Sequence, residues 1–283
     1  MEPSVIGLLV DSSSQIPNGL KERYDIEVVA IPVIMNGVEF LEGETIDADE
    51  FYRFFEDTVP YVSTSQPSPG QMLAAYQRLV DRGCDQILSV HVADSMSGTL
   101  NSARLAAEKI AVPVRLVDSG TASFGISCCV WDAAESIRNG ADLETAAVVA
   151  EATAGRLQSV FILQALDFVI KGGRIAGEGL RLTGEIPVLR TRGDLVSQLG
   201  TGTDVDDLCD QMADAMHSDG APIRAAVGIA DVAGQPFADG LTKRLADRAD
   251  VVDLVHYRIG PSVGALTGPG TAGGFWYPIK DSF

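Results

Sequence analysis

Hydrophobic residues in the first 160 positions form short apolar runs that alternate with longer amphipathic segments. The apolar runs lie at 5–10, 27–33, 85–90 and 114–117 and have the length and composition of buried parallel strands. The segments with apolar residues at helical spacing lie at 48–56, 69–82, 100–110, 122–139 and 143–157. Strands that alternate with helices in this way predict a doubly wound, mostly parallel sheet of the α/β class.

The pattern changes near residue 160. Two apolar runs, 186–189 and 195–199, flank Arg192-Gly193-Asp194, which is typical of a β-hairpin. Further strands are predicted at 159–163, 224–231, 251–259 and 275–279, and helices at 166–171, 204–217 and 237–249. A hairpin among such elements predicts an α+β domain with a mixed sheet. We therefore predict an α/β domain over 1–160 and an α+β domain over 161–283.

The charge balance excludes several classes of partner. The 283 residues include 21 Lys and Arg against 39 Asp and Glu, a net charge of −18, which argues against binding to nucleic acid and to anionic lipid surfaces. We expect no membrane insertion because no apolar run reaches 18 residues. The chain starts without the basic region of a signal peptide, so a cytoplasmic location is predicted. The three histidines are widely separated, and no metal site is predicted.

A polar turn, Ser97-Gly98-Thr99, follows the predicted strand 85–90 and opens a helix. Such a turn lies at the carboxyl edge of the sheet, where open α/β sheets bind ligands. With Ser97 as the N-cap, the amides of Thr99 and Leu100 are expected to be free donors. Hydroxyls, free amides and the positive helix end suit a small anion or a carbonyl oxygen. A capping serine and a turn glycine with no ligand explain the same residues.

Four motifs follow one another along the chain: Thr64-Ser65-Gln66-Pro67-Ser68, Ser97-Gly98-Thr99, Gly172-Gly173-Arg174-Ile175 and Thr267-Gly268-Pro269-Gly270-Thr271. Together with Asp11-Ser12 and Asp118-Ser119, this ordered set resembles the DegV family over essentially the whole chain. The resemblance implies a two-domain protein that buries a long-chain fatty acid, or a related lipid, in an apolar tunnel between its domains. It is similar to the binding subunits of bacterial fatty acid kinase, which present the acid to a separate ATP-using kinase subunit. It implies no enzyme activity of the chain itself, no catalytic residue and no cofactor.

The resemblance places the ligand carboxylate at the hydroxyls of Thr64 and Ser97. The ligand-binding residues that it implies are Thr64, Ser65, Ser97, Gly98, Thr99, Arg174, Leu266, Thr267, Gly268, Gly270 and Thr271. The chain departs from the family pattern at Leu266, where a His is usual. It also departs at Gly200 and Gly202, which align with the Lys and Arg of a usual Lys-x-Arg, and at Ile186, which aligns with the Lys of a usual Ile-Lys-Pro. We expect a less cationic head of the site, which affects phosphate transfer more than lipid binding.

Two other functions stay open at this point. The first is an enzyme that acts on a small anionic substrate at the same cleft, with Asp11, Asp118 and the hydroxyls as working groups. The second is a degenerate relative that binds no ligand and serves as an interaction protein. An enclosed apolar tunnel that ends at Ser97 and Thr64 favours lipid binding. A shallow polar pocket favours the enzyme, and a cleft filled by side chains favours the interaction protein.

Overall fold

The computed structural model describes residues 4–165, 184–192 and 195–279. The helix predicted at 166–171 and the candidate residue Arg174 lie outside the described residues. The strands are β1 Ile6–Asp11, β2 Ile26–Val29, β3 Pro32–Met35, β4 Val38–Leu41, β5 Val62–Thr64, β6 Gln86–His91, β7 Val114–Asp118, β8 Gln158–Ile162, β9 Ile186–Arg192, β10 Leu195–Gly202, β11 Ile223–Ile229, β12 Val251–Arg258 and β13 Ala272–Pro278. The helices are α1 Asn18–Arg23, α2 Ala48–Asp57, α3 Pro69–Asp81, α4 Thr99–Ala107, α5 Phe124–Arg138, α6 Leu143–Ala154, α7 Val205–Ala215, α8 Gln235–Ala246 and α9 Pro261–Thr267.

The chain divides into two compact units. The first comprises residues 1–45 and 62–155, and the second comprises 46–61 and 156–283. The segment 46–61, which contains α2, therefore belongs with the carboxyl-terminal part of the chain. The predicted domains, 1–160 and 161–283, stay a prediction. In the part of the chain that the structure describes, no helix is both long and apolar enough to cross a bilayer.

The first unit is built on a four-stranded parallel sheet in the order β2-β1-β6-β7. Alternate residues of β1 face opposite sides of this sheet. Leu9 packs in the core formed with α3 and α4, whereas Leu8 and Val10 pack in the core formed with α5 and α6. The predicted doubly wound sheet is confirmed. Because β1 continues to β2 on one side and β6 continues to β7 on the other, the topological switch point lies between β1 and β6.

The predicted strand 27–33 is wrong as a single element. It forms β2 and β3, and β3 belongs to a three-stranded antiparallel sheet, β4-β3-β5, that the sequence pattern did not indicate. Between the two strands, the Ile31 amide donates to Ser12 Oγ at 2.9 Å instead of to a neighbouring strand. Pro32, which follows, has no amide hydrogen to continue the ladder. The chain therefore leaves the parallel sheet at this point.

Helices α2 and α3 each begin with a capping box. In α2, Asp47 Oδ1 accepts from the Glu50 amide at 2.7 Å and Glu50 Oε2 accepts from the Asp47 amide at 3.2 Å. In α3, Ser68 caps and Pro69 takes the first helical position, again in a capping box. Each box satisfies two amides that a helix start leaves unpaired.

The second unit has a six-stranded mixed sheet in the order β10-β9-β8-β13-β11-β12. Among the described strands of this sheet, only β11 and β12 pair in parallel, and the predicted hairpin is formed by the antiparallel pair β9 and β10. Apolar residues of α7 and α8 cover one face of this sheet around the buried Trp276. The predicted mixed sheet is confirmed.

The stretch 264–271, for which the sequence pattern predicted no helix, is partly helical. Pro261 opens α9, which continues to Thr267. A Cβ added at Gly264 would lie 2.4 Å from the Tyr52 hydroxyl, so α9 and α2 pack with almost no space between them. Arg258 and Asp49 form an ion pair at 2.5 Å, which also joins α2 to this part of the second unit. Helical spacing was hidden here because Gly and Thr are poor indicators of a helix.

Candidate functional site

The ends of β1 and β6 meet at the switch point through the carboxylate of Asp11, which is fully buried. Asp11 Oδ1 accepts from the Ser13 amide at 3.1 Å and from the Ser13 hydroxyl. Asp11 Oδ2 accepts from the Val92 amide at 3.0 Å and lies 3.1 Å from Nδ1 of His91. This carboxylate is surrounded by protein donors, so it acts as a structural connection between the two strands.

The candidate turn that follows β6 differs from the prediction in its cap. Helix α4 begins at Thr99 with Gly98 as its N-cap, so the assignment of Ser97 to that position is wrong. The Thr99 amide is also not free, because it donates to Ser97 Oγ at 3.3 Å. The two hydroxyl oxygens of Ser97 and Thr99 lie 2.9 Å apart. The half-buried Ser97 side chain therefore lies at the start of α4, and its hydroxyl contacts both the amide and the hydroxyl of Thr99.

The loop after β5 contacts this turn. Thr64 is the last residue of β5 and pairs with Val33 of β3, and the Ser65 amide donates to the Pro32 carbonyl at 3.1 Å. A Cβ added at Gly98 would lie 2.4 Å from Oε1 of Gln66, so the Gln66 side chain rests directly on the Gly98 backbone. The structure thus brings the two hydroxyl-bearing motifs of the first unit together.

The Thr64 hydroxyl is half-buried, and no other described residue hydrogen-bonds it. Ser65 is exposed. A threonine hydroxyl can donate one hydrogen bond and accept two. The Thr64 hydroxyl therefore keeps its hydrogen-bonding capacity among the described residues.

In the second unit, the loop after α9 holds its shape through the main chain. The hydroxyl of Thr271 donates to the carbonyl oxygens of Thr267 and Gly268, both at 3.0 Å. The Thr267 hydroxyl donates to the Val263 carbonyl at 3.3 Å. Both threonines are buried. These hydroxyls donate to carbonyl oxygens at the end of α9, and their own oxygens can still accept hydrogen bonds.

The two glycines of this loop have backbones that side chains disfavour. Gly268 has φ +75° and ψ 177°, a region that is almost exclusive to glycine. Gly270 has φ +75°, and its amide donates to Asp231 Oδ1 at 3.0 Å. Nε2 of the Gln164 side chain donates to the Gly270 carbonyl at 2.9 Å, and an added Cβ at Gly270 would lie 2.9 Å from Gln164 Cβ. Asp231 and Gln164 are thus loop supports that sequence reasoning missed.

The departures from the family pattern lie in different environments. Leu266 is half-buried in the last turn of α9. Gly202 faces α7 instead, because an added Cβ would lie 2.8 Å from Oδ2 of Asp207 and 3.2 Å from the side chain of Leu208. Gly200 likewise faces Gln211 of the same helix. A long cation at 200 or 202 would therefore be directed at α7.

A buried row of polar side chains in the first unit was also missed. Tyr76 Oη lies 3.0 Å from Ser89 Oγ, which lies 2.7 Å from Nε2 of His91. The histidines were considered only as metal ligands, so these hydrogen bonds were not predicted. The signal was present in β6, where Ser89 and His91 alternate with apolar residues and so share a face.

The predicted convergence of the Ser97 turn, Thr64 and the loop 267–271 on one ligand site stays a prediction. Thr64 and Ser97 lie in the first unit and the loop 267–271 lies in the second. Within the first unit the contact between Gln66 and Gly98 brings the two motifs together.

Comparison with known proteins gives a consistent match over the chain. The family model described as "Uncharacterised protein, DegV family" matches residues 5–279. A DegV domain-containing protein of Streptomyces coelicolor is 31% identical over 276 residues, which cover 95% of this chain and 96% of the relative. A structure from Thermus thermophilus, described as fatty acid binding of a DegV family protein, is 28% identical with a TM-score of 0.87 and covers 97% of this chain and 100% of that one.

A DegV lipid-binding protein from Thermotoga maritima shares the fold with a TM-score of 0.84 at 22% identity, over 98% of this chain and 100% of that one. The agreement extends over both compact units, since the matched residues 5–279 include nearly all of each. The chain therefore belongs to the DegV family.

Proposed function

We propose that this protein binds a long-chain fatty acid or a related lipid and holds the carboxylate at the hydroxyls of Ser97 and Thr64. The observation that carries the proposal is the contact of Gln66 with Gly98, which places the two hydroxyl-bearing motifs side by side near the switch point. The similar protein from Thermus thermophilus, described as binding fatty acid, supports the same ligand class.

The energetics favour a ligand with a long apolar chain. Burial of about 15 methylene groups at about 0.8 kcal/mol each contributes roughly 12 kcal/mol before the costs of association and ordering. One hydrogen bond to the charged carboxylate contributes about 1.5–3 kcal/mol. The acyl chain of the ligand therefore supplies most of the affinity, and the hydroxyls of Ser97 and Thr64 fix the position of its head group.

The proposed function includes presentation of the bound acid to a partner kinase, and Leu266 affects that step. Presentation of a carboxylate for phosphorylation requires donors arranged around the charge that develops there. Leu266 supplies no such donor where the family usually has His. We propose that the protein binds lipid but presents it poorly to a family kinase, and that Leu266→His raises acyl-phosphate formation more than it raises affinity. Gly202→Arg is the less suitable change, because Asp207 lies next to that position.

The first test is mass spectrometry of the lipid that copurifies with the protein, followed by binding of the identified acid to delipidated protein. Ser97→Ala and Thr64→Ala are each expected to weaken binding by about 1–3 kcal/mol, the loss of one hydrogen bond to a charged group. Ser95→Ala, in the same turn but exposed, is the matched control and should bind normally. Normal binding by both Ser97→Ala and Thr64→Ala would contradict the head-group assignment.

A further inference from the structure

Four polar side chains form a continuous row through the core of the first unit. Tyr76 Oη, Ser89 Oγ and Nε2 of His91 follow one another at 3.0 and 2.7 Å, and Nδ1 of His91 lies 3.1 Å from Oδ2 of Asp11. None of the four residues has exposed surface. Buried polar rows are stable only when every member is paired, so the direction of each hydrogen bond matters.

The distances favour one arrangement of protons. Both carboxylate oxygens of Asp11 already accept from backbone amides, so Nδ1 of His91 is the donor to Oδ2 and carries a hydrogen. With a neutral ring, Nε2 accepts from the Ser89 hydroxyl, which in turn accepts from Tyr76, and every group is paired. Burial raises the pKa of Tyr76 to about 12, against a smaller lowering by Ser89, so the Tyr76 hydroxyl keeps its proton as a donor.

The opposite arrangement fits less well. If the His91 ring were an imidazolium, Nε2 would donate to Ser89 and the row would run in reverse. Tyr76 would then have to donate to the Ala103 carbonyl at 3.5 Å, the limit of a hydrogen bond. The other charged group beside His91 in the sheet is Asp118, whose backbone pairs with it on β7 and whose carboxylate accepts from the amides of Asp94 and Gly120.

The row crosses the elements that carry the candidate hydroxyls. Tyr76 lies on α3, which follows the Thr64 loop, and Ser89 and His91 lie on β6, which leads into the Ser97 turn. The two residues after His91 are both held by hydrogen bonds of their main chain. The Val92 amide donates to Asp11, the Ala93 amide donates to the Thr121 carbonyl at 2.8 Å, and the Ala93 carbonyl accepts from the Ser97 amide at 3.1 Å.

We propose that His91 is a positioning residue for the candidate head-group turn, because its hydrogen bond to Asp11 fixes the point at which β6 opens into that turn. Its effect on ligand binding rests on the proposed function, whereas its effect on the turn does not. The row thus joins β1 to β6 at the switch point through the bond between Asp11 and His91. In this proposal His91 positions Ser97 without contacting the ligand.

Two substitutions at one residue separate the two hydrogen bonds of the ring. Asn places its amide nitrogen near the position of Nδ1 and keeps the bond to Asp11, whereas Gln reaches the position of Nε2 and keeps the bond to Ser89. For delipidated protein and palmitic acid, we expect His91→Gln to weaken binding about tenfold or more and His91→Asn less than about threefold. Tyr76→Phe, at the far end of the row, is the control and should bind within about twofold of the unmodified protein.

A second readout needs no ligand. In the ligand-free protein, His91→Gln should speed hydrogen exchange of the Ser97 and Thr99 amides at least about tenfold, and His91→Asn should not. Equal effects of the two variants on exchange would overturn the positioning role. If palmitic acid does not bind the unmodified protein, the proposed function fails for that lipid, and the exchange result still decides the role of His91.

The third measurement needs no substitution and covers the case in which His91→Gln does not fold. Nitrogen NMR of the unmodified protein should find a hydrogen on Nδ1 of His91, as the bond to Asp11 requires. A hydrogen on Nε2 alone would leave that bond without its donor and would overturn the positioning role.

Discussion

The two candidate regions of this protein hold their hydroxyls in different ways. In the first unit, the Ser97 turn follows a strand whose end is tied by the buried side chains of Asp11 and His91. In the second unit, the loop that contains Thr267 and Thr271 is held by main-chain carbonyls and by left-handed glycine backbones. Substitutions should therefore act through lost buried hydrogen bonds in the first region and through backbone strain in the second.

The largest effect is expected at Asp11. Asp11→Ala leaves the Ser13 and Val92 amides and the ring of His91 without their acceptor in a buried site. We expect the free energy of unfolding to fall by about 3–5 kcal/mol in total, because each buried donor left without an acceptor costs about 1–3 kcal/mol. Urea denaturation followed by circular dichroism measures it.

Asp118 provides the matched control, because it ends β7 as Asp11 ends β1. Its carboxylate is exposed and accepts from the Gly120 amide at 2.9 Å and from the Asp94 amide at 3.3 Å. Asp118→Ala should cost about 1 kcal/mol, the net value of an ordinary hydrogen bond. Equal losses for Asp11→Ala and Asp118→Ala would remove the distinction between a buried network and an exposed turn.

The next largest effect is expected in the glycine loop of the second unit. Gly270→Ala places a side chain at φ +75° and 2.9 Å from Gln164 Cβ, so we expect a loss of about 2–4 kcal/mol from strain and overpacking together. Gly220 has φ +83° with open space around it, and Gly220→Ala should cost about 1–2 kcal/mol from strain alone. Thermal denaturation of the two variants compares them, and a Gly270→Ala loss no larger than that of Gly220→Ala would show that Gln164 moves aside freely.

Sequence periodicity predicted most of the regular elements of both units for a clear physical reason. Buried strands and amphipathic helices leave local apolar patterns, and capping boxes such as Asp47 with Glu50 leave local polar ones. Elements with weak local signals were missed. The strand β4, half exposed along its length, and the helix α9, rich in small residues, owe their formation to their neighbours in the fold.

The candidate site could be predicted only in part, for a related reason. Ser97, Thr64 and the glycine loop stand out because turn residues follow apolar runs. The row from Tyr76 to Asp11 does not, because Tyr76 and Ser89 are 13 positions apart along the chain and His91 and Asp11 are 80 apart. Pairing over such distances is set by the order of strands in the sheet, and periodicity along one strand does not contain that order.

The smallest effect is expected at a surface ion pair of the second unit, which contrasts with the buried carboxylate of the first. Arg248 binds both carboxylate oxygens of Asp250, at 3.0 and 2.6 Å, and these hydrogen bonds lower the pKa of Asp250. A carboxyl whose pKa is lower in the folded protein stabilises the fold above its unfolded pKa of about 3.9, and the stabilisation is lost as the pH falls through the folded pKa.

Asp250→Asn should therefore lower the free energy of unfolding at pH 7 by no more than about 1 kcal/mol, since solvent screens a pair whose side chains are about a quarter exposed. The difference from the unmodified protein should shrink as the pH falls below about 4, because Asp250 is then increasingly protonated in both the folded and the unfolded state. Asp247→Asn is the control, because Asp247 is exposed and forms no ion pair with another described residue. Urea denaturation at pH 7, 5 and 3 measures the trend, and a difference that grows toward pH 3 would show that the bonds from Arg248 do not favour the ionised Asp250.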